Sequence, residues 1–297
     1  MGRVAAIIVT YNGEKWIRQC LDSLLSSTLI PDIFLVDNNS SDDTAAVIER
    51  EYPKVSFFKS KENLGFGKAN NIWLKKLFQE NKEYEFFFLI NQDAWVEKNC
   101  ILQLVDFMKT HADYGILSPV QYNKDFSEID FNFKEYSARG KNKGEVTEVP
   151  FVNAAVWMLS KSCLRKTGLF NPYFIHYGED RNYCNRIKYN NLKIGILCNA
   201  KANHDRERTT DEKKMLKLAK IKLDCIVLNP DSSLLKAYIE AFKNVWGIPK
   251  YYLKIISAKQ GIKMFFYLLR HYVGLIFSLE IIKNRKQQKK GVFLIEE

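Results

Sequence analysis

The six cysteines (Cys20, Cys100, Cys163, Cys184, Cys198 and Cys225) include no C-x-x-C pair, which excludes the usual zinc-ribbon and dithiol redox spacings. The N-terminus lacks the basic stretch and apolar h-region of a secretory signal, so reduced thiols and a cytosolic location are expected. No internal repeat is present, and the only low-complexity stretch is the Lys/Gln-rich Lys283–Lys290. Disorder and a collagen-like chain are excluded by a content of 46% hydrophobic and 27% charged residues. With 297 residues, the chain can bury the core of one large α/β domain or two small ones.

Acidic charge is scarce in one region only. Residues 1–200 hold 25 Lys and Arg against 24 Asp and Glu, while residues 201–297 hold 20 against 10. A basic last third interleaved with aromatic residues points to a polyanionic partner, either nucleic acid or an anionic membrane face. Nucleic acid is the weaker choice. Helix-turn-helix, zinc and RNP-type signatures are all missing, and the basic segment is too apolar for a solvated phosphate-binding face.

Apolar runs of strand length at Val4–Thr10, Ile33–Val36, Val55–Phe58, Glu85–Asn91 and Gly115–Val120 alternate with segments of helical spacing. That alternation predicts an α/β fold with a mainly parallel sheet covered by helices and a ligand at the carboxyl ends of the strands. Ser40 or Ser41 is the expected N-cap of the second helix. Residues 122–146 read as a long loop or β-excursion. A strand over 151–159, a helix over 180–189 and a short strand over 194–198 close a domain of residues 1–210. Residues 211–297 read as a helical extension, with helices over 211–228, 233–245, 249–258 and 261–284 broken at Asn229-Pro230, Gly247-Ile248-Pro249 and Gly261.

Polar clusters follow the predicted strands: Thr10-Tyr11-Asn12, Asp37-Asn38-Asn39-Ser40, the stretch from Asn63 to Asn70, and Asn91-Gln92-Asp93. Each alone is also ordinary turn composition. The glycines Gly65 and Gly67 precede a helix, where bare backbone N–H groups can approach a ligand. Asp93, at the end of a strongly apolar strand, either caps a helix or holds a hard divalent cation. A dinucleotide-dependent oxidoreductase would want G-x-G-x-x-G after the first strand, where this chain has Tyr11-Asn12-Gly13-Glu14.

In order, the motifs I-V-T-Y-N, L-V-D-N-N-S, N-L-G-F-G-K-A-N-N, I-N-Q-D-A, V-N-A-A-V-W-M-L-S, H-Y-G-E-D-R-N-Y-C-N-R and N-H-D span Val4 to His204. As a set the chain resembles the family 2 glycosyltransferases of GT-A fold, a Rossmann-like architecture. The resemblance implies that Thr10, Tyr11 and Asp37 contact the nucleobase and ribose, and that Asn63, Gly65 and Asn70 shape the same pocket. Asn12, Asn39, Gly67, Asn91 and Gln92 complete the implied nucleotide site. Asp93 matches the last position of the family's D-x-D metal motif, with Asn91 replacing the first acidic residue, and His204 matches the histidine that closes over diphosphate or metal. Mg²⁺ or Mn²⁺ is the implied cofactor.

By the same resemblance Asp180, beside Glu179, is the base of an inverting transfer, and Asn153, Ala154, Trp157 and Met158 form the acceptor-side strand. That strand equally resembles core, and Glu179-Asp180 equally suits a helix N-terminus. Arg186 is either a diphosphate ligand or a surface salt-bridge residue. The Q-x-x-R-W motif of processive synthases is missing. The form of the third motif is similar to that of bacterial rhamnosyltransferases, so dTDP-rhamnose is the first expected donor, ahead of UDP sugars. A saccharide or lipid-linked saccharide acceptor in cell-surface polysaccharide synthesis is expected, with the protein peripheral on the cytoplasmic face of the membrane. A nucleotide-sugar-binding protein without turnover is the alternative, against which the presence of both Asp93 and Asp180 argues. Met264–Ile282 approaches spanning length but carries Arg270, His271 and Glu280, and reads as an interfacial, buried or dimer-forming helix.

Overall fold

The computed structural model describes residues 3–80, 83–206, 211–255, 257–291 and 293. Two compact units result, one holding the described residues up to Arg206 together with Phe293, the other running from Asp211 to Gly291. The expected boundary at 210/211 adjoins residues 207–210, which lie outside the described residues.

In the first unit, β1 (Arg3–Thr10) pairs in parallel with β2 (Asp32–Asp37) on one side and β4 (Tyr84–Asn91) on the other, and β2 pairs with β3 (Ser56–Lys59). The parallel arrangement ends at β9 (Val156–Ser160), which runs antiparallel to both β4 and β6 (Tyr114–Tyr122). Beyond β6 lies β10 (Lys193–His204), in parallel, then the hairpin of β7 (Lys141–Asn142) and β8 (Val146–Glu148). The sheet is therefore mixed, with β3, β2, β1 and β4 and the β6–β10 pair parallel and antiparallel strands between and beyond them. Helices α1 (Glu14–Leu25), α2 (Thr44–Glu51), α3 (Phe66–Gln79), α4 (Cys100–Thr110), α6 (Lys161–Thr167) and α7 (Glu179–Tyr189) cover it.

Strand alternation assigns each residue to a core layer. Ala6, Ile8, Phe88, Ile90 and Met158 join Leu21, Leu24 and Leu104 on one face of the sheet. Ala5, Ile7, Phe87, Leu89 and Trp157 join Trp73, Phe170 and Tyr183 on the other. Strands buried on both faces need apolar residues at every position, which is why β1 and β4 read as unbroken apolar runs.

Several elements depart from expectation for local reasons. Helix α2 starts at Thr44 after Asp43, not after Ser40 or Ser41. The Ser40 hydroxyl donates to Asp37 Oδ1 at 2.5 Å and the Ser41 N–H to Asn12 Oδ1 at 2.8 Å, so tertiary contacts occupy both serines. Within 122–146 lies α5 (Phe131–Ala138), whose single buried residue, Phe133, leaves almost no apolar period to read. Strand β10 runs twelve residues, not the five expected, and a register shift between Leu197 and Lys201 interrupts its alternation and hides its second half from the sequence pattern. A short β5 (Ala94–Val96), absent from the sequence reading, pairs antiparallel with the end of β10.

The second unit consists of α8 (Glu212–Val227), α9 (Leu234–Ile255), α10 (Ala258–Phe277) and α11 (Leu279–Lys289). Pro249 lies inside α9 and does not end it, so the two helices expected over 233–258 are one. The helix expected over 261–284 is two, bent by 66° at Ser278.

Arg186 is neither of the things its position in sequence suggested. Only 2% exposed, it donates to the carbonyls of Thr167 and Leu169 at 2.6 Å each and to Asn182 Oδ1 at 3.3 Å. Its guanidinium lies 4.8 Å from the Tyr183 ring and 5.6 Å from that of Phe293, whose carbonyl accepts from Leu169 N–H at 2.8 Å. Burial pulls its pKa down to about 10, so it stays charged at neutral pH. Arg186→Met should leave two buried carbonyls without donors and cost about 3 kcal/mol or more. Arg186→Lys should recover only part of this, because an ammonium cannot reproduce the planar fork. Thermal melts of the two variants check both expectations.

Candidate active site

Because β1 lies between β2 and β4, Thr10 is level with Asp37, and Val9 with Asn91. The polar clusters that follow these strands therefore meet at one edge. Gln92 joins them: its Oε1 accepts from Thr10 Oγ1 at 2.5 Å and from Tyr11 N–H at 2.8 Å, and its Nε2 donates to Tyr11 O at 3.1 Å. A Cβ on Gly13 would come within 2.2 Å of Gln92 Oε1, so this clamp needs glycine there. Thr10 is fully buried and holds Gln92, whereas Tyr11 is 47% exposed and presents its ring to solvent. Asn12 and Asn39 take left-handed backbone conformations, and Asn12 N–H donates to Ser40 Oγ at 2.9 Å.

Asp37 is 4% exposed and accepts from the Ser40 hydroxyl and N–H. Beside it, buried Asn38 donates to Asn63 Oδ1 at 3.1 Å and accepts from Leu64 N–H at 2.9 Å. Asn63 Oδ1 also takes the Gly65 N–H at 3.0 Å. That N–H is thus engaged rather than offered to an anion. Gly65 has φ +77°, and a Cβ there would lie 1.8 Å from the Ile175 carbonyl oxygen. Gly67 packs against Phe170 and Glu179, and Asn70 is buried with its Nδ2 on Phe66 O at 2.9 Å. Asn71 clamps the backbone of Phe170 through both its N–H and its carbonyl, each at 2.9 Å. The glycine-rich stretch therefore locks the start of α3 to the segment leading into α7.

The antiparallel β5–β10 pair sets His204 opposite Ala94, next to Asp93. His204 Nε2 lies 3.5 Å from Asp93 Oδ1, and Asp205 N–H donates to Asp93 O at 2.9 Å. The His204 ring is buried, with no hydrogen-bond partner for Nδ1 among the described residues. Asn91 is tied by its backbone, N–H to Ala155 O at 2.8 Å. Among the described residues no three His, Cys, Asp or Glu side chains form a metal cage. A carboxylate and an imidazole that face each other do fit a hard or borderline divalent cation that takes its other ligands from diphosphate oxygens and water.

Asp180, half-buried in the first turn of α7, accepts from Arg181 N–H at 2.6 Å. Burial pushes its carboxyl above the usual aspartate range, opposed by the charges of Arg181 and Arg206. The Arg181 guanidinium stacks on Phe151 at 3.3 Å, and Phe151 meets Tyr136 edge-on at 5.1 Å. Arg206 reaches Tyr136 as well, and its N–H donates to His204 O at 2.9 Å. Glu179 is buried and faces α3 near Gly67. Trp157 and Met158 have no exposed surface, with Trp157 stacked on Phe170 at 6.4 Å, so both act as core. Asn153 and Ala154, in the segment before β9, are buried as well.

Gln92 as a clamp, Asn71, Tyr136 and Arg206 were missed in the sequence as members of this constellation, since their roles rest on partners far away in sequence. Gly65→Ala should displace the Ile175 segment or destabilise the chain by roughly 1–3 kcal/mol through the left-handed φ alone. Calorimetric nucleotide titration alongside a thermal melt reads this, with weakened nucleotide binding expected.

A family model, glycosyl transferase family 2, matches residues 5–168. Among curated relatives, the low-salt glycan biosynthesis hexosyltransferase Agl10 of Haloferax volcanii is 23% identical over 65% of this chain and 64% of its own length. The poly(ribitol-phosphate) beta-N-acetylglucosaminyltransferase TarS of Staphylococcus aureus is 24% identical over 66% of this chain and 34% of its own. This chain thus spans less than two thirds of either. Among solved structures, S. aureus TarS 1–349 in complex with UDP-GlcNAc has a TM-score of 0.62 at 16% identity, over 97% of this chain and 87% of that one. Mannosyltransferase PcManGT from Pyrobaculum calidifontis, in complex with GDP-Man and Mn²⁺, has a TM-score of 0.61 at 16% identity, over 99% and 85%. The architecture is that of the GT-A glycosyltransferases. With more than half of its 297 residues matched by the family model, this chain belongs to glycosyl transferase family 2.

Proposed function

We propose that the protein transfers a sugar from a nucleotide diphosphate donor to an acceptor hydroxyl with inversion at the anomeric carbon. The observation that carries this reading is the facing pair Asp93 and His204 at the strand-end edge, together with a half-buried Asp180 in the first turn of α7. The edge around Tyr11, Asp37 and Asn63 receives the nucleotide. Asp93 and His204 would hold Mg²⁺ or Mn²⁺, which supplies positive charge to the departing diphosphate. Asp180 accepts the proton of the acceptor hydroxyl as its oxygen attacks from the face opposite the leaving group. The charges of Arg181 and Arg206 oppose the rise in Asp180 proton affinity that burial causes. The donor sugar is rhamnose, on the form of the third motif, and the acceptor a saccharide or lipid-linked saccharide of the cell surface.

Asp180→Asn should cut turnover by about 10²–10⁴-fold while nucleotide affinity and fold persist. Glu179→Gln should be milder. Turnover of Asp180→Asn within a few-fold of wild type would remove Asp180 as the base. Because the base acts deprotonated and its pKa is raised, activity should fall with decreasing pH through a limb above the ordinary aspartate value. Arg206→Met removes a charge that lowers that pKa, so the limb should move further toward neutral pH.

Asp93→Ala should weaken nucleoside diphosphate binding only when Mn²⁺ is present, and Asp37→Ala should weaken it with or without the ion. Isothermal titration of both variants separates the roles, and equal losses under the two conditions would refute them. A thermal-shift panel of dTDP-rhamnose, UDP-glucose, UDP-galactose, UDP-galactofuranose, UDP-GlcNAc and GDP-mannose identifies the donor, because a ligand of the native state raises its apparent stability.

A further inference from the structure

Helices α9 and α10 form an antiparallel hairpin. Tyr238 OH donates to Leu275 O at 3.0 Å, Phe242 lies 5.5 Å from Tyr272, and Trp246 lies 4.6 Å from Phe265. The sides they bury hold Ala237, Ala241 and Val245 in α9 and Met264, Leu268 and Leu275 in α10. A second apolar side stays in solvent. In α9 it consists of Leu235, Ile239 and Leu253 with the outward edges of Phe242 and Trp246, in α10 of Ile262, Phe266, Val273, Ile276 and Phe277. At 3.6 residues per turn each α9 residue falls within an arc of about 60°. Trp246 is 57% exposed, Phe266 63% and Phe277 79%, values far from those of core aromatics.

Both stripes are bordered by basic side chains one helical step away, Lys236, Lys243 and Lys250 in α9 and Lys259, Lys263 and Arg270 in α10. Lys243 pairs with Glu240 and Lys263 with Glu212. Lys236, Lys250, Lys259 and Arg270 have no ion pair among the described residues. From 234 to 277 the chain has seven Lys and Arg and a single acidic residue, Glu240. Residues 211–291 as a whole carry 17 Lys and Arg against six Asp and Glu, which equals the entire net charge of +11.

We propose that this face of the α9–α10 hairpin docks on an anionic lipid bilayer, with its aromatic and aliphatic side chains entering the headgroup boundary and its basic border meeting lipid phosphates and carboxylates. Charge decides the occupant: a second copy would bring the same uncompensated positive border against this one, whereas an anionic bilayer complements it. A membrane span is the poorer fit. No single helix among the described residues is long and apolar enough to cross, and the α10–α11 pair that passes on composition is bent by 66°. His271 in α10 is paired at 2.6 Å with buried Asp224 of α8, and Arg285 in α11 donates to the carbonyls of Val227 and Ser232. These polar bonds hold α10 and α11 on α8, leaving one side for lipid. The inference stands apart from the catalytic reading, since it uses none of its residues.

The test is co-sedimentation of the full chain with vesicles of phosphatidylcholine containing about 30% phosphatidylserine, and of phosphatidylcholine alone. Binding to the anionic vesicles should be about tenfold tighter or more, and about 0.5 M salt should release the protein. A Lys236/Lys250/Lys259/Arg270→Gln variant should lose that preference, each charge counting for several-fold. A Phe266→Gln/Phe277→Gln variant should lose retention while its circular dichroism, melting temperature and nucleoside diphosphate affinity stay those of wild type. Absence of binding to anionic vesicles at low salt overturns the proposal, as does binding unchanged in both variants. Release by detergent alone overturns it in favour of insertion. A dimer that the Phe266→Gln/Phe277→Gln variant breaks, with vesicle retention unaffected, assigns the face to a second copy and also overturns it.

Discussion

Parallel pairing of β1 with β2 and β4 is the constraint on which the candidate site rests. A strand buried on both faces has its side chains committed to the core, so polar chemistry can begin only where the strand ends. The register puts three such ends side by side, and Gln92 then joins two of them through both polar ends of its amide. Everything downstream inherits this alignment. Asn38 and Asn63 fasten the β2 and β3 ends to α3, while Gly65 and Asn71 fasten α3 to the segment entering α7.

The site combines two kinds of acidic group with different surroundings. Asp93 sits half-buried opposite an imidazole, an arrangement suited to sharing a cation. Asp180 sits among Arg181, Arg206, Phe151 and Tyr136, where low dielectric raises its proton affinity and two cations restrain the rise. Arg186, by contrast, shows how a cation in a sequence motif can be wholly structural: its donors are consumed by backbone carbonyls of the α6–α7 connection.

The two units divide the physical work. The first is charge-balanced and buries its apolar residues in two layers on either side of one sheet. In the second, helical hairpin packing uses small residues such as Ala237 and Ala241 on the buried side and leaves large aromatics outside. An apolar surface of that kind beside uncompensated positive charge is costly in water alone, and a bilayer of opposite charge would remove both costs at once.

The alternation of apolar runs with helical periods already specified an α/β sheet, its strand-end clusters and a basic helical tail, because periodicity is a local property that each segment carries by itself. The glycosyltransferase motifs were legible for the same reason. Invisible in the sequence were β5, the full length of β10 and the helix within 122–146. Three residues, a register-shifted strand and a helix with one buried side chain carry almost no period. Tertiary structure alone separated Thr10 from Tyr11, placing the first in the core and the second in solvent, and sent Trp157 and Met158 inward. Side chains that follow one another along a strand point to opposite faces, and which face is open depends on neighbours distant in sequence. The same dependence made His204 a partner of Asp93, through a strand pairing that only the folded chain brings together.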